Sequence, residues 1–383
     1  MTAVRARRRR EVLLVAGEAS GDMHGADLVV ALRARVPDVH VRGIGGARLR
    51  ASGMETLVDT TTVATMGLVE ARERLGAVWR AYRLMRRLVR DERPDVLVLI
   101  DFAEFNLALA GFARRHGVPV FYYISPQVWA WRRGRVRKIA RRVDRLAMVF
   151  PFEAALYADA GVHADFVGHP LLDRVHPTRD RAATLAAHGL DPQKRVVALL
   201  PGSRPKEMHL LLPVMAEAAR TLVARGDCQC VLALADTLSE ADVAATMQGA
   251  ALPTRIVAGD TYDLIHASDA VIVASGTATL ETALLERPMV IVYRVASLTY
   301  ALARRLVSVP FIGMPNLVAG REIVPELIQD DVTSDRVAAA ITRFLDDPAY
   351  AATTRAALGD LRHALGDGGA AARAAAIVAE MLP

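Results

Sequence analysis

Val196-Val197-Ala198-Leu199-Leu200-Pro201-Gly202-Ser203-Arg204 is an apolar run that ends in a glycine turn, and a helical stretch follows from about Lys206. A second stretch has the same grammar: Ala270-Val271-Ile272-Val273-Ala274, then Ser275-Gly276-Thr277, then a helix carrying Glu281. Strand, glycine turn and helix form the unit of an open α/β sheet. Ligands sit beyond the carboxyl ends of such strands, where helix N-termini offer free N–H groups and the positive end of a dipole. Arg204 puts a fixed cation beside one turn, and Glu281 lies one helical turn past Thr277, within reach of the hydroxyls of a ribose. Either turn alone reads equally as an ordinary tight turn. Together, Gly202, Ser203, Arg204, Ser275, Gly276, Thr277 and Glu281 favour a nucleotide-diphosphate site.

Working outward, the same alternation fills the second half, with strands at Val231–Leu234, Arg255–Val257 and Met289–Tyr293. The first half repeats it, with strands at Glu11–Ala16, Val39–Ile44, Val96–Ile100, Val118–Tyr123, Arg145–Val149 and Asp165–Val167. A long amphipathic helix over about Glu70–Asp91 carries Leu75, Val78, Trp79, Tyr82 and Met85 at helical spacing. Alternating strands and helices predict parallel sheets covered on both faces. At 383 residues the chain suits two domains. The expected division is an N-terminal doubly wound domain over 1–170, a second over 171–345, and C-terminal helices over 346–383 that pack back on the first.

Composition narrows the class. No apolar run approaches the roughly 20 residues of a membrane-spanning helix. The N-terminus is basic, but its apolar stretch breaks at Gly17-Glu18, which reads as a first strand rather than a signal peptide, so a cytoplasmic location is expected. Cys228 and Cys230, the only cysteines, lack partnering histidines and read as buried free thiols. Positive charge gathers in two clusters, Arg80 to Arg93 and Arg132 to Arg145. A solvated helix face, nucleic acid, a phosphorylated substrate or an anionic membrane surface could each account for them.

Several loops carry candidate chemistry. The glycines of Gly17-Glu18-Ala19-Ser20-Gly21-Asp22 and Gly43-Ile44-Gly45-Gly46 match neither a Walker A loop nor a dinucleotide fingerprint, which argues against a nicotinamide or flavin oxidoreductase. The first turn reads as the opening of an acceptor site, with Glu18 and Ser20 as polar contacts, or as a structural turn. Asp101 stands just beyond a strand end, where a general base can reach a substrate hydroxyl. It reads equally as a helix N-cap, with Glu104 completing a capping box. Trp129 and Trp131 lie beside the densest basic run, as core or as contacts to a phosphosugar or lipid headgroup. His169 and His266 near turns are most simply structural. No D-x-D stretch is present, so a diphosphate would be held by helix dipoles and Arg204 rather than by a metal.

Taken together, VAGEASGD (Val15 to Asp22), GIGG, MGLVE (Met66 to Glu70), DFAEFN (Asp101 to Asn106), SPQVWAWRRGRVRKI (Ser125 to Ile139), PFE, GHP, LPGSR, SGTATLE and MPNLVAGREIVPELIQ (Met314 to Gln329) resemble the lipid-A-disaccharide synthase family. The segments span nearly the whole chain. Glu104 departs from the aspartate expected there, so the resemblance bears on Asp101 more than on Glu104. The resemblance implies a GT-B fold, two Rossmann-like doubly wound domains facing an interdomain cleft. It implies inverting transfer of 2,3-diacylglucosamine from its UDP derivative to the 6-hydroxyl of 2,3-diacylglucosamine 1-phosphate, giving a β(1→6) disaccharide and UDP, with no cofactor. By the same similarity Asp101 is the base with Glu18 second, and Asn316 joins the donor site. Ser20, Met66, Leu68, Val69, Trp129 and Trp131 would face the acceptor or lipid. The expected partners are the two lipid substrates and the anionic inner leaflet, where the enzyme is peripheral, without nucleic acid. A homodimer is left open. The rival is a UDP-sugar 2-epimerase on the same fold, with a nucleic-acid-binding protein behind it.

Overall fold

The computed structural model describes residues 9–63, 71–126, 128, 134–296, 300 and 309–383. The chain divides into two compact units, Met1–Pro170 together with Gly366–Pro383, and Leu171–Leu365. The helices expected over 346–383 are thus divided: Pro348–Ala364 belongs to the second unit and Ala370–Met381 to the first.

The first unit runs β1 (Glu11–Ala16), α1 (Ala19–Arg35), β2 (His40–Gly45), α2 (Ala47–Ala51), β3 (Glu55–Asp59), α3 (Thr60–Val63), α4 (Ala71–Asp91), β4 (Val96–Ile100), α5 (Ala103–Arg115), β5 (Val120–Tyr123), α6 (Arg135–Arg142), β6 (Arg145–Met148), α7 (Glu153–Asp159) and β7 (Ala164–Phe166). Its strands form one parallel sheet in the order β3-β2-β1-β4-β5-β6-β7. Every residue of β4 is buried, which explains its unbroken apolar sequence: both faces of a central parallel strand are covered. Leu13, Val15, Leu97, Leu99 and Tyr122 form part of a core closed by Met85 and Val89 of α4 and Leu109 and Phe112 of α5. The last helix packs against α1, and the Arg373 guanidinium donates to the Val167 carbonyl at 2.7 and 2.9 Å.

The second unit runs α8 (Arg181–Ala187), β8 (Arg195–Leu200), α9 (Pro205–Val223), β9 (Cys228–Leu234), α10 (Glu240–Met247), β10 (Thr254–Ala258), α11 (Thr261–Ala267), β11 (Ala270–Ala274), α12 (Thr277–Leu284), β12 (Met289–Tyr293), helix Met314–Ala319 and β13 (Glu326–Ile328). The strand order is β10-β9-β8-β11-β12-β13, again all parallel. Cys228 and Cys230 are free, buried thiols on one face of β9.

Two strands escaped the sequence reading. β3 and β13 end their sheets, are short, and are only partly buried, so neither carries the apolar run that marks an interior strand.

Candidate active site

Strand order places the loops. In the first sheet the chain winds outward in both directions from the pair β1 and β4, and in the second from β8 and β11. These are topological switch points, where the loops leaving two neighbouring strands diverge and open a crevice. Ala16 pairs with Ile100, so the turns that follow begin side by side at Gly17 and Asp101. Leu200 pairs with Val273, which brings the turn at Pro201 beside the turn at Ser275.

At the first switch point Asp101 and Phe102 both adopt left-handed backbone, with φ of 51° and 46°. Ile124, just past β5, does the same at 58°. Such conformations are strained in non-glycine residues and persist where the surroundings over-determine them. Here the Tyr122 hydroxyl and the Asn106 amide donate to the Asp101 carbonyl at 2.5 and 2.8 Å, and the same amide donates to Ile100 O at 3.1 Å. The Phe102 ring stacks on Phe105 with centroids 4.9 Å apart and lies against Gly17, where an added Cβ would stand 2.2 Å from the ring. Glycine is required there for that close approach. The clamp holds Asp101 through its carbonyl and leaves the carboxylate to other partners. Its Oδ2 accepts from Ser20 Oγ at 3.2 Å. Burial pushes its pKa up, and the bonds from Ser20 and the Phe102 N–H pull it back only in part. A carboxyl moved toward neutrality is better matched to taking a proton near neutral pH.

The N-cap alternative for Asp101 is not what forms. Phe102 occupies the cap position of α5 without a side-chain bond, and Glu104 is ion-paired with the buried Arg135. Glu18 caps α1 in extended conformation and is exposed. The nearby carboxylate of Asp22 accepts from the backbone N–H of Gly46, Arg48 and Leu49 at 2.6, 3.1 and 3.1 Å, binding the GIGG turn to the GEASGD turn.

At the second switch point Gly202 has φ 110°, and an added Cβ would meet Glu207 at 2.8 Å. Arg204 caps α9 ahead of Pro205; its side chain is 66% exposed and donates to Glu207 at 2.9 Å. Gly276 caps α12, and space is open around it. Ser203, Gly276 and Thr277 are exposed and Ser275 half-buried. Glu281, half-buried one turn on, accepts from the Tyr262 hydroxyl at 3.0 Å, and burial pushes its pKa up.

Asn316 behaves differently from a ligand contact. It is fully buried, and all its amide capacity is used: Nδ2 donates to Val324 O and Glu326 Oε1, both at 2.8 Å, and Oδ1 accepts from Ile323 N and Val324 N at 2.7 and 3.1 Å. Glu326 in turn accepts from Ile312 N and Gly313 N, and Ser275 Oγ donates to Ile312 O at 3.4 Å. The geometry makes Asn316 a brace behind the Ser275 turn.

His169 is buried beside Phe150, and burial together with His24 pushes its pKa down to about 3, so it is neutral at physiological pH. Met66, Leu68 and Val69, and Trp129 and Trp131, lie outside the described residues. Among the described residues no group of His, Cys, Asp and Glu is gathered for a metal ion. Tyr122, Asn106, Asp22, Glu326 and Tyr262 are not marked as site residues by the sequence alone. Asp22, Asn106 and Glu326 fall inside the quoted motifs, but no spacing marks the two tyrosines.

The model of the lipid-A-disaccharide synthetase family matches residues 12–378. The chain belongs to the lipid-A-disaccharide synthase family. A lipid-A-disaccharide synthase of Geobacter sulfurreducens is 51% identical over 372 residues, covering 97% of both chains. Among solved structures, the glycotransferase of kitacinnamycin superposes with a TM-score of 0.63 at 18% identity, covering 98% of this chain and 100% of that one. A UDP-N-acetylglucosamine 2-epimerase of Listeria monocytogenes, described as putative, gives 0.64 at 14% identity over 97% and 96%. These distant likenesses show the GT-B fold alone, and the family is that of the glycosyltransferase rather than the epimerase. Like its relatives in the synthase family, the chain is a hexosyltransferase.

Proposed function

We propose that the protein transfers 2,3-diacylglucosamine from its UDP derivative to the 6-hydroxyl of 2,3-diacylglucosamine 1-phosphate, forming the β(1→6) disaccharide 1-phosphate and UDP. The observation that carries this reading is the family match over residues 12–378, and each unit has polar groups at its own switch point that fit it: the Asp101 carboxylate in the first and Arg204 at the N-cap of α9 in the second. Inversion in one displacement needs one base and a stabilised leaving group. Asp101 takes the proton of the 6-hydroxyl as its oxygen attacks the anomeric carbon. The bond from that carbon to the diphosphate breaks, and the negative charge left on the diphosphate meets Arg204 and the N–H groups at the start of α12. Glu281 receives the ribose hydroxyls, and Glu18 and Ser20 line the acceptor side.

Mass spectrometry of the product from defined acyl donor and acceptor tests the reaction; recovery of only an epimerised nucleotide sugar would refute it. Turnover is expected to survive EDTA, because Arg204 and the α12 N-terminus take the role a D-x-D-bound metal has elsewhere. Activity lost to EDTA and restored only by a divalent ion would contradict that. Arg204→Ala is expected to weaken UDP binding about tenfold to a hundredfold, since hydrogen bonds from a charged group contribute about 1.5–3 kcal/mol. Isothermal titration with UDP reads this directly.

Peripheral attachment to the anionic inner leaflet follows from the lipid substrates. No helix among the described residues is long and apolar enough to cross a membrane. On α4, Trp79 is 52% exposed, with the Arg83 guanidinium 5.5 Å from its ring centroid, and Arg80 and Arg87 of the same helix are also exposed. An exposed tryptophan among arginines suits the headgroup region. Sedimentation with anionic and with zwitterionic vesicles should show preference for the former.

A further inference from the structure

Glu281 presents a problem that the donor reading alone does not solve. A half-buried carboxylate can accept from two hydroxyls only if it stays ionised and keeps acceptor sites turned toward them, yet its partial desolvation favours the protonated form. Tyr262, near the start of α11, answers both needs. Its hydroxyl donates to Glu281 Oε1 at 3.0 Å, which fixes the orientation of the carboxylate and leaves the rest of its acceptor capacity for a ligand. The bond also stabilises the carboxylate, as does the positive charge of Arg174. Tyr262 keeps its own proton throughout the working range, because burial and the neighbouring carboxylate hold its pKa well above that of a free phenol. α11 follows β10 and leads into β11, so the tyrosine approaches Glu281 from a different connection than the one that carries the carboxylate.

We propose that Tyr262 is a positioning residue that fixes one oxygen of Glu281 and thereby makes the second unit read the vicinal diol of a ribonucleoside diphosphate. The inference rests on the reading of Glu281 as the ribose contact. A purely structural role, tying α11 to α12, is the competing account. The two differ in what happens to nucleotides that lack a hydroxyl.

The experiment compares UDP, 2′-deoxy-UDP and 3′-deoxy-UDP by isothermal titration for wild type, Tyr262→Phe and Glu281→Gln, with thermal melts of each. Wild type should prefer UDP over at least one deoxy form by about tenfold. Tyr262→Phe should weaken UDP about threefold to tenfold, the size of one hydrogen bond, and leave that deoxy form nearly unchanged. The donor KM should rise while kcat at saturation stays close to wild type. A Tyr262→Phe protein that keeps the wild-type preference, while Glu281→Gln loses it, overturns the role of Tyr262 alone. UDP binding without discrimination in all three proteins would remove the ribose reading of Glu281 as well. An equal fall for all three nucleotides with a lowered melting temperature would assign Tyr262 to structure.

Discussion

Asp101→Asn is expected to cut turnover by about a hundredfold or more, because a positioned base contributes about that much and an amide cannot take a proton. Stability should not fall with it. Asparagine tolerates the left-handed backbone that Asp101 adopts. The clamp on this residue acts through its carbonyl, which the substitution keeps. The sign of the electrostatic effect points the same way. The folded pKa of Asp101 is raised by burial, so below the ordinary carboxylate range the group is neutral in both states and costs nothing. As pH rises through the folded pKa it ionises in a desolvated place and stability is lost. The asparagine variant escapes that loss, so near neutral pH it should melt at or above the wild-type temperature. The wild-type rate should rise with pH through the same raised pKa, and the residual rate of the variant should lack that limb. Normal turnover in Asp101→Asn would move the base to Glu18 or Glu104.

Asn316→Ala is the second large effect, and it concerns stability. Removing the amide strands the N–H groups of Ile323 and Val324 and the carbonyl of Val324, all satisfied by it. Each buried orphan costs about 1–3 kcal/mol, and the set is not additive. A loss of roughly 3 kcal/mol is expected, which for a unit of this size lowers the melting point by about 6–12 °C. A direct contact to the donor would behave otherwise, losing UDP affinity with an unchanged melt. Asn316→Asp sharpens the test. It replaces the donor to Glu326 by a second carboxyl, so its destabilisation should be worst at neutral pH and ease on acidification.

The family could be recognised from short motifs because each motif is local. VVALLPGSR and AVIVASGT each encode a strand, a turn and a helix start in consecutive residues, and the parallel-sheet fold follows from repeating that unit. The half-buried sheet-edge strands β3 and β13 carry no such signature. The capping-box reading of Asp101 failed for a related reason. The pattern D-x-x-E is a statement about four residues, whereas Glu104 is drawn to Arg135 and Phe102 is drawn over Gly17, partners 31 and 85 positions away.

By itself, then, the sequence determined the class of the fold, the glycine turns and the family, since these depend on the hydrophobic period and on residues adjacent in the chain. Tertiary structure decided which turns are neighbours, through the strand orders that put β1 beside β4 and β8 beside β11. It also decided what each polar side chain is free to do. Asn316 is consumed by Val324 and Glu326, and Glu281 is half engaged by Tyr262. A side chain's remaining hydrogen-bonding capacity depends on what the packing brings against it, and spacing along the chain does not carry that information.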